Sequence, residues 1–390
     1  MSLHSDSDRD TRARTGAGAD ARTPTRTRTS VVKFGGSSFA SPEHYRRVAA
    51  HLAARVAAGE RIVAVVSGMP GATEQLRGLA LGIDERPSVA ALHGVLPLAD
   101  TIGAGLLRVA LEQRGVATEL LHGQHTGLRS DGTRDRAARL TGFDPAPFEA
   151  AWRRASVVVM PGGQASDGGG SPAWLGKNSS DLSATALAAG LGLDTCEIYS
   201  DVDGVYDADP RLVPDARRIA ALSYDDVVLL ARHGAKVLHP EAVRAAERGG
   251  VRIVCRLNSG DFAAGSVIDA TGSGRGVDAV LLDARSVVVA FGTAGEADAA
   301  HTAVEAAGAP AHRPAAAESD GRHLLAVSGG FFDVRRCLDE AGLGGEITGE
   351  RLLAAVTGSR TALYVAADQD AALALGRDLH RDVCGALQAA

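Results

Sequence analysis

LGKNSSDLSATALAAGLGLDTCEIYSDVDGVYDADPR, residues 175–211, sets two polar loops around one helix and one strand. The first loop, 176–181, offers a cation, hydroxyls and a carboxylate just before an Ala/Leu-rich helix. The second, 200–211, follows the apolar strand 196–199 and carries four aspartates, a glycine and a terminal arginine. Polar, glycine-containing loops at strand ends are where open α/β sheets hold ligands. The stretch therefore reads as one edge of an active site.

Outward from it, the same grammar repeats. Upstream, Ser30-Val31-Val32-Lys33-Phe34 reads as a short strand running into Gly35-Gly36-Ser37-Ser38, after which Ser41-Pro42 opens a helix. Tyr45, Val48, Leu52 and Val56 keep helical spacing and Gly59 ends the element. Residues 61–66 read as a buried strand ending in the small-residue loop 67–73. A helical region to about Arg114, a strand at 118–121 and a polar connection through Asp144 follow. Another apolar strand, 156–160, ends in Pro161-Gly162-Gly163, and a flexible Gly/Ser segment (167–171) leads into the central stretch. Downstream, 223–233 reads as a helix capped by Ser223, with Asp225 and Asp226 favourable to its dipole. Gly234-Ala235-Lys236-Val237-Leu238-His239-Pro240 starts another helix, and 251–257 is expected as the last strand. This alternation predicts an α/β layered domain over 31–270.

Beyond a linker at 272–276 the composition shifts to an α+β region, 277–390, with strands expected at 286–291, 323–327 and 361–366 and helices at 297–307, 333–341 and the end. Residues 1–30, rich in Arg, Thr, Asp and Gly, are expected to be a disordered tail. They lack the apolar core of a secretory signal, and their aspartates argue against a transit peptide.

At 390 residues the chain exceeds one ordinary core, and 45% hydrophobic content is ordinary for a globular protein. No apolar run is expected to span a membrane, and a net charge of −6 gives no support for nucleic-acid binding. Cys196, Cys255, Cys337 and Cys384 are scattered without ligand spacing, which fits free thiols in a reducing cytoplasm. Of the 41 Lys and Arg residues only Lys33, Lys177 and Lys236 are lysine, and each lies in a glycine- or hydroxyl-rich motif. A compact ammonium fits between phosphate oxygens as a point charge, a role a planar guanidinium fills differently. The apparent phosphate loop 170–177 has five residues between its glycines and Asn178 after the lysine, so it is not a Walker A motif.

Four separated motifs, in order, resemble the aspartate kinases of the amino-acid kinase superfamily: Lys33-Phe34-Gly35-Gly36-Ser37-Ser38, residues 196–211, Leu222-Ser223-Tyr224, and 234–240. The resemblance covers about 31–268. It implies a three-layer α/β/α sandwich, a C-terminal region like paired ACT modules, and transfer of the γ-phosphoryl group of ATP to the carboxylate of a small amino acid, foremost L-aspartate. By resemblance Lys33, Asp181 and Lys236 are catalytic. Lys33, Gly35, Gly36, Ser37, Ser200, Asp201, Tyr206, Asp209, Arg211, Lys236 and Val237 face ATP. Mg²⁺ bridges the phosphates, with no protein side chain assigned to it.

The acceptor side departs from the family. Its TTLGRGGSD string is replaced by Ala173-Trp174-Leu175-Gly176-Lys177-Asn178-Ser179-Ser180-Asp181, with Lys177 where an arginine clamps the amino acid's carboxylate. Asp100 stands for the glutamate of SxGE, one methylene shorter. Ser67 keeps its place, so Ser67, Asp100, Lys177 and Ser180 are the expected acceptor residues. Either the chain acts on aspartate through an altered pocket, or it takes a different acceptor in a specialised pathway; a nucleotide-binding regulator without turnover is the remaining alternative. A homodimer through the C-terminal region is expected, with strands 286–291 and 323–327 pairing across subunits.

Overall fold

The computed structural model describes residues 28–134, 136–235, 238–314, 321–328 and 332–385. Its centre is the strand Thr29–Phe34, paired in parallel with Arg61–Val66 on one side and Thr195–Ser200 on the other. The strand starts at Thr29, one residue before the Ser30 start read from sequence and inside the expected 1–30 tail. The full sheet has eight strands, extended through Val157–Pro161 and Thr118–Leu120 at one end. At the other end it runs through Arg252–Leu257, Ala264–Asp269 and Ala221–Ser223. Residues 252–257 are therefore not the last strand, because Ala264–Asp269 turns back antiparallel to them.

Successive residues of a strand face opposite sides, and here both sides are apolar. Val31, Val63, Val65 and Ile198 pack with Leu187, Leu230 and Val243 of the helices Ser180–Gly190, Tyr224–Arg232 and Pro240–Gly249. Val32, Phe34, Ile62 and Ala64 pack with Val48, Leu52, Leu107 and Leu111 of the helices Pro42–Ala57 and Leu98–Glu112. Burial of both faces is what makes these strands continuous Val/Ile runs. The three layers follow. The chain leaves the central strand towards Arg61–Val66, yet its other neighbour is Thr195–Ser200. The order reverses there, opening a crevice at the carboxyl ends of the strands.

On the second face lies a buried ionic knot. Arg55 reaches Glu60 at 2.6 Å and Glu197 at 2.9 Å, Arg256 reaches Glu197 at 2.8 Å, and Tyr199 donates to Glu197 at 2.6 Å. Burial alone pushes the Glu197 carboxyl up. Arg55, Tyr199 and Arg256 more than offset this and hold it below the usual range. His51, beside Tyr199, is pushed down to about 4 by burial and then by Arg55.

The polar connection before Asp144 is not structureless. Leu128–Ser130 and Leu140–Phe143 join Gln164–Ser166 and Pro172–Trp174 in a small four-stranded sheet. Val89–Glu112 is long and apolar enough to cross a membrane, contrary to the sequence expectation. Pro97 divides it between two helices, and Ala99, Ala104, Leu107 and Leu111 of the second are buried.

The C-terminal region holds two sheets. Val277–Leu282, Arg351–Gly358 and Arg360–Ala366 form one, covered by the helix Gln369–Gly385. Val277, Ala279, Ala354 and Val356 belong to the same apolar cluster as the helices below the main sheet, so the core is continuous. In the other sheet Val287–Phe291 runs antiparallel to His323–Val327, flanked by Glu346–Ile347 and Ala311–His312. The expected pairing of these two strands across subunits is thus corrected. They bond to each other and neither lies at an edge, because local antiparallel pairing already satisfies their backbones.

Removing one partner from a buried ion pair leaves the other charge uncompensated. Arg55→Ala is expected to lower unfolding free energy in urea by about 3–5 kcal/mol. A loss below about 1 kcal/mol would place the knot among surface pairs in importance.

Candidate active site

Lys33 sits one residue before the end of the central strand, and its ammonium reaches into the crevice. It contacts Asp181 Oδ1 at 2.5 Å, with the two side chains 13% and 11% exposed. Asp181 lies in the first turn of Ser180–Gly190, where a carboxylate suits the helix dipole. The contact is ionic rather than an aligned hydrogen bond, so Oδ1 remains a buried acceptor with no hydrogen-bond donor. Gly35 donates its N–H to the Tyr199 carbonyl at 3.2 Å. That donor is therefore spent on holding the turn rather than offered to phosphate. A Cβ at Gly36 would stand 2.9 Å from the Gly68 carbonyl oxygen, so the two glycine loops meet only because neither carries a side chain there. Ser37 and Ser38 accept from Asn258 Nδ2 at 3.0 and 3.1 Å.

Ser67, at the end of the next strand, donates to Ser180 Oγ at 2.9 Å. Gly162 packs directly behind Ser180; an added Cβ would lie 2.3 Å from its hydroxyl. Asp100, in the first turn of Leu98–Glu112, accepts from the Gly68 N–H. Burial pushes its carboxyl up to about 7, with the Gly68 bond and the Lys33 charge opposing. Around the α-carbon of Gly163 three polar groups converge, since a Cβ there would meet Ser179 Oγ at 2.9 Å, Trp174 Nε1 at 3.6 Å and Asp100 Oδ2 at 3.7 Å. Lys177, on a loop turned by positive φ at Gly176 (96°) and Asn178 (63°), pairs with Glu74 of the helix Ala72–Ile83. That hydrogen bond holds the Glu74 carboxyl below its usual range.

One cavity of about 980 Å³ gathers Lys33, Gly35, Gly36, Ser67, Asp100, Lys177, Ser180 and Asp181. Trp174 and His239 also line it, as do Arg285, Glu305 and Pro310 from the C-terminal region. The sequence missed the last three because nothing local marks a residue 250 positions away along the chain as a wall of the same crevice. His239 accepts from Glu241 N–H at 3.2 Å as a helix cap, and burial lowers its imidazole pKa. Ser37, Ser200, Asp201, Tyr206, Asp209 and Arg211 are not on the lining. Tyr206 donates to Asp203 at 2.9 Å, and Asp209 accepts from the Arg211 backbone at 2.9 Å and side chain at 3.2 Å. Lys236 and Val237 lie outside the described residues; Ala235 and Leu238 on either side line the cavity.

The profile of the amino acid kinase family matches residues 28–256, the strands and helices that build this crevice. The chain belongs to the amino acid kinase family. Among curated relatives, an aspartokinase of Pseudomonas aeruginosa is 38% identical over 216 residues, 55% of this chain and 52% of that one. Aspartokinase 2 of Bacillus subtilis is 35% identical over 239 residues, 61% and 58%. The chain thus spans little more than half the length of the curated relatives it matches. Among solved structures, aspartokinase III of E. coli in complex with aspartate and ADP superposes with a TM-score of 0.70 at 18% identity, covering 92% of this chain and all of that one. Aspartate kinase from Synechocystis gives 0.55 at 26%, covering 85% and 60%. The three-layer α/β/α fold of the amino acid kinases is therefore the fold of this chain.

Asp100 provides a test by pH. Its carboxyl keeps the proton up to about 7 when folded, against an ordinary 3.8. Below the unfolded value both states are protonated and the group is neutral to stability. As pH rises towards the folded value only the unfolded chain loses the proton, so stability falls across that window and stays low above it. Asp100→Asn removes the loss. It is expected to be more stable than the parent at pH 8, by at most about 4 kcal/mol, and no more stable at pH 4. Equal gains at both pH values in urea unfolding would refute the assignment.

Proposed function

We propose that the protein transfers the γ-phosphoryl group of ATP to the side-chain carboxylate of L-aspartate, giving 4-phospho-L-aspartate and ADP. The observation that carries this is the Lys33–Asp181 pair, set at the central strand's end and facing Ser67, Ser180 and Asp100 across one cavity. A carboxylate acceptor is already ionised at neutral pH, so no general base is needed. An acceptor oxygen forms its bond to the γ-phosphorus as the bridging bond to the β-phosphate breaks. Catalysis rests on alignment and on neutralising charge on the transferring oxygens. Lys33 supplies that charge and Asp181 orients its ammonium. Lys236 is proposed as a second phosphate cation, and Ser200, Asp201, Tyr206, Asp209 and Arg211 as the nucleotide side. Ser67 and Asp100 hold the acceptor, Asp100 giving up its proton beside the acceptor's ammonium, whose charge favours the carboxylate.

Mg²⁺ enters with the nucleotide phosphates. The Asp181 carboxylate, beside Lys33 in the crevice, is the hard oxygen group that would face the ion's water shell, and the ion would screen phosphate charge. The four free thiols fit a reducing, cytoplasmic setting.

A second reading, an acceptor other than aspartate, is supported by Lys177 and Trp174. Lys177 is turned onto the Glu74 carboxylate rather than towards the acceptor's, and Trp174 stands edge-on against His93 at 5.3 Å at a threonine position of the family string.

Trapping with hydroxylamine separates the two. With Mg-ATP and L-aspartate the protein is expected to form a hydroxamate, reduced about 10²-fold or more in Lys33→Ala. ATP binding without hydroxamate would transfer support to the second reading.

A further inference from the structure

We propose that Asp207, His380 and Cys384 form a site for one divalent ion of the zinc class, which clamps the C-terminal helix to the loop following the Thr195–Ser200 strand. The three ligand atoms lie within 4.8 Å of one another, and all three residues are buried, at 7%, 6% and 6% exposure. His380 and Cys384 are four residues apart on Gln369–Gly385, which stacks their side chains on one face of that helix. Asp207 comes from the opposite wall. One oxygen, one imidazole nitrogen and one thiolate sulfur make a donor set that selects zinc over magnesium or calcium.

The carboxylate is prepositioned. Asp207 Oδ1 accepts from the Arg217 N–H at 2.7 Å. Its backbone donates to the Arg217 carbonyl at 3.0 Å and accepts from Val280 N–H at 2.7 Å. His380 Nε2 stands 3.0 Å from the same oxygen. A plain His–Asp hydrogen bond accounts for two of the three groups. It does not account for a thiol brought to the same point one helical turn on. The same helix touches the loop again where Arg377 donates to the Leu212 carbonyl at 3.1 Å.

Zinc bonds of about 2.0–2.3 Å need the three atoms to close by a short rotation. On binding, the thiol proton leaves to solvent, the imidazole changes tautomer so that its proton moves from Nε2 to Nδ1 and the Nε2 lone pair faces the ion, and water takes the fourth position. None of the three residues lines the crevice that holds Lys33 and Asp181, and the proposal does not depend on the proposed kinase reaction.

The test uses the full chain, stripped by chelator and titrated with Co²⁺ alone. One equivalent is expected to bind with a near-ultraviolet thiolate-to-cobalt absorption band, which zinc abolishes by displacement and which Cys384→Ser lacks. No band in the parent, or a band that persists in Cys384→Ser, overturns the site. Near-ultraviolet circular dichroism checks that the variant is folded. Should it not be, Asp207→Asn keeps both shape and thiol and is expected to weaken cobalt binding about tenfold or more; unchanged affinity overturns the proposal.

Discussion

The contact between Lys33 and Asp181 is the point on which the crevice depends. A nearly buried ammonium is tolerated only beside an opposite charge, because desolvation otherwise drives it neutral. That requirement fixes the start of the Ser180–Gly190 helix against the end of the central strand. Ser180 is thereby brought to Ser67, and Gly162 must stay small behind it. Each neighbouring strand end then contributes one loop, and the glycines at 36 and 68 let two of those loops touch.

Beneath this polar rim the sheet is held by a second, wholly structural charge cluster. Arg55 ties the end of one helix to Glu60 and to Glu197 inside the sheet. A charge in the interior of a strand that is otherwise Cys, Ile and Tyr is costly unless fully paired, and here two guanidiniums and a phenol pair it. The knot and the Lys33–Asp181 pair meet neighbouring strands but serve different ends: one secures the layers, the other sets a pair of charges at the crevice.

The C-terminal region is part of the same body rather than an appendage. Its first strand and the Arg351–Gly358 strand share an apolar core with the helices under the main sheet. Arg285 and Glu305 reach the cavity itself. Gly234 has φ +94° and would place a Cβ 2.5 Å from that of Asp283, so the turn after the Tyr224–Arg232 helix and the C-terminal region are packed without slack. A change in either unit is felt by the other through packing, since close-packed interiors transmit displacement.

By itself the sequence determined the α/β alternation, the glycine-lined strand ends, the Ser223 cap, and the grouping of Lys33, Ser67, Asp100, Ser180 and Asp181. Those features are local: periodicity, capping and turn chemistry act within a few residues, and a family's motifs carry their spacing with them. What the tertiary structure decided is which groups are left free to act. Gly35 turned out to spend its N–H on Tyr199, Lys177 to meet Glu74, and Val287–Phe291 to pair with His323–Val327 within the chain. Asp207, His380 and Cys384 were likewise scattered in the chain and gathered only by the fold. Partners like these are chosen by distance in three dimensions, and a hydrogen bond or charge pair between segments a hundred residues apart leaves no trace in either segment alone.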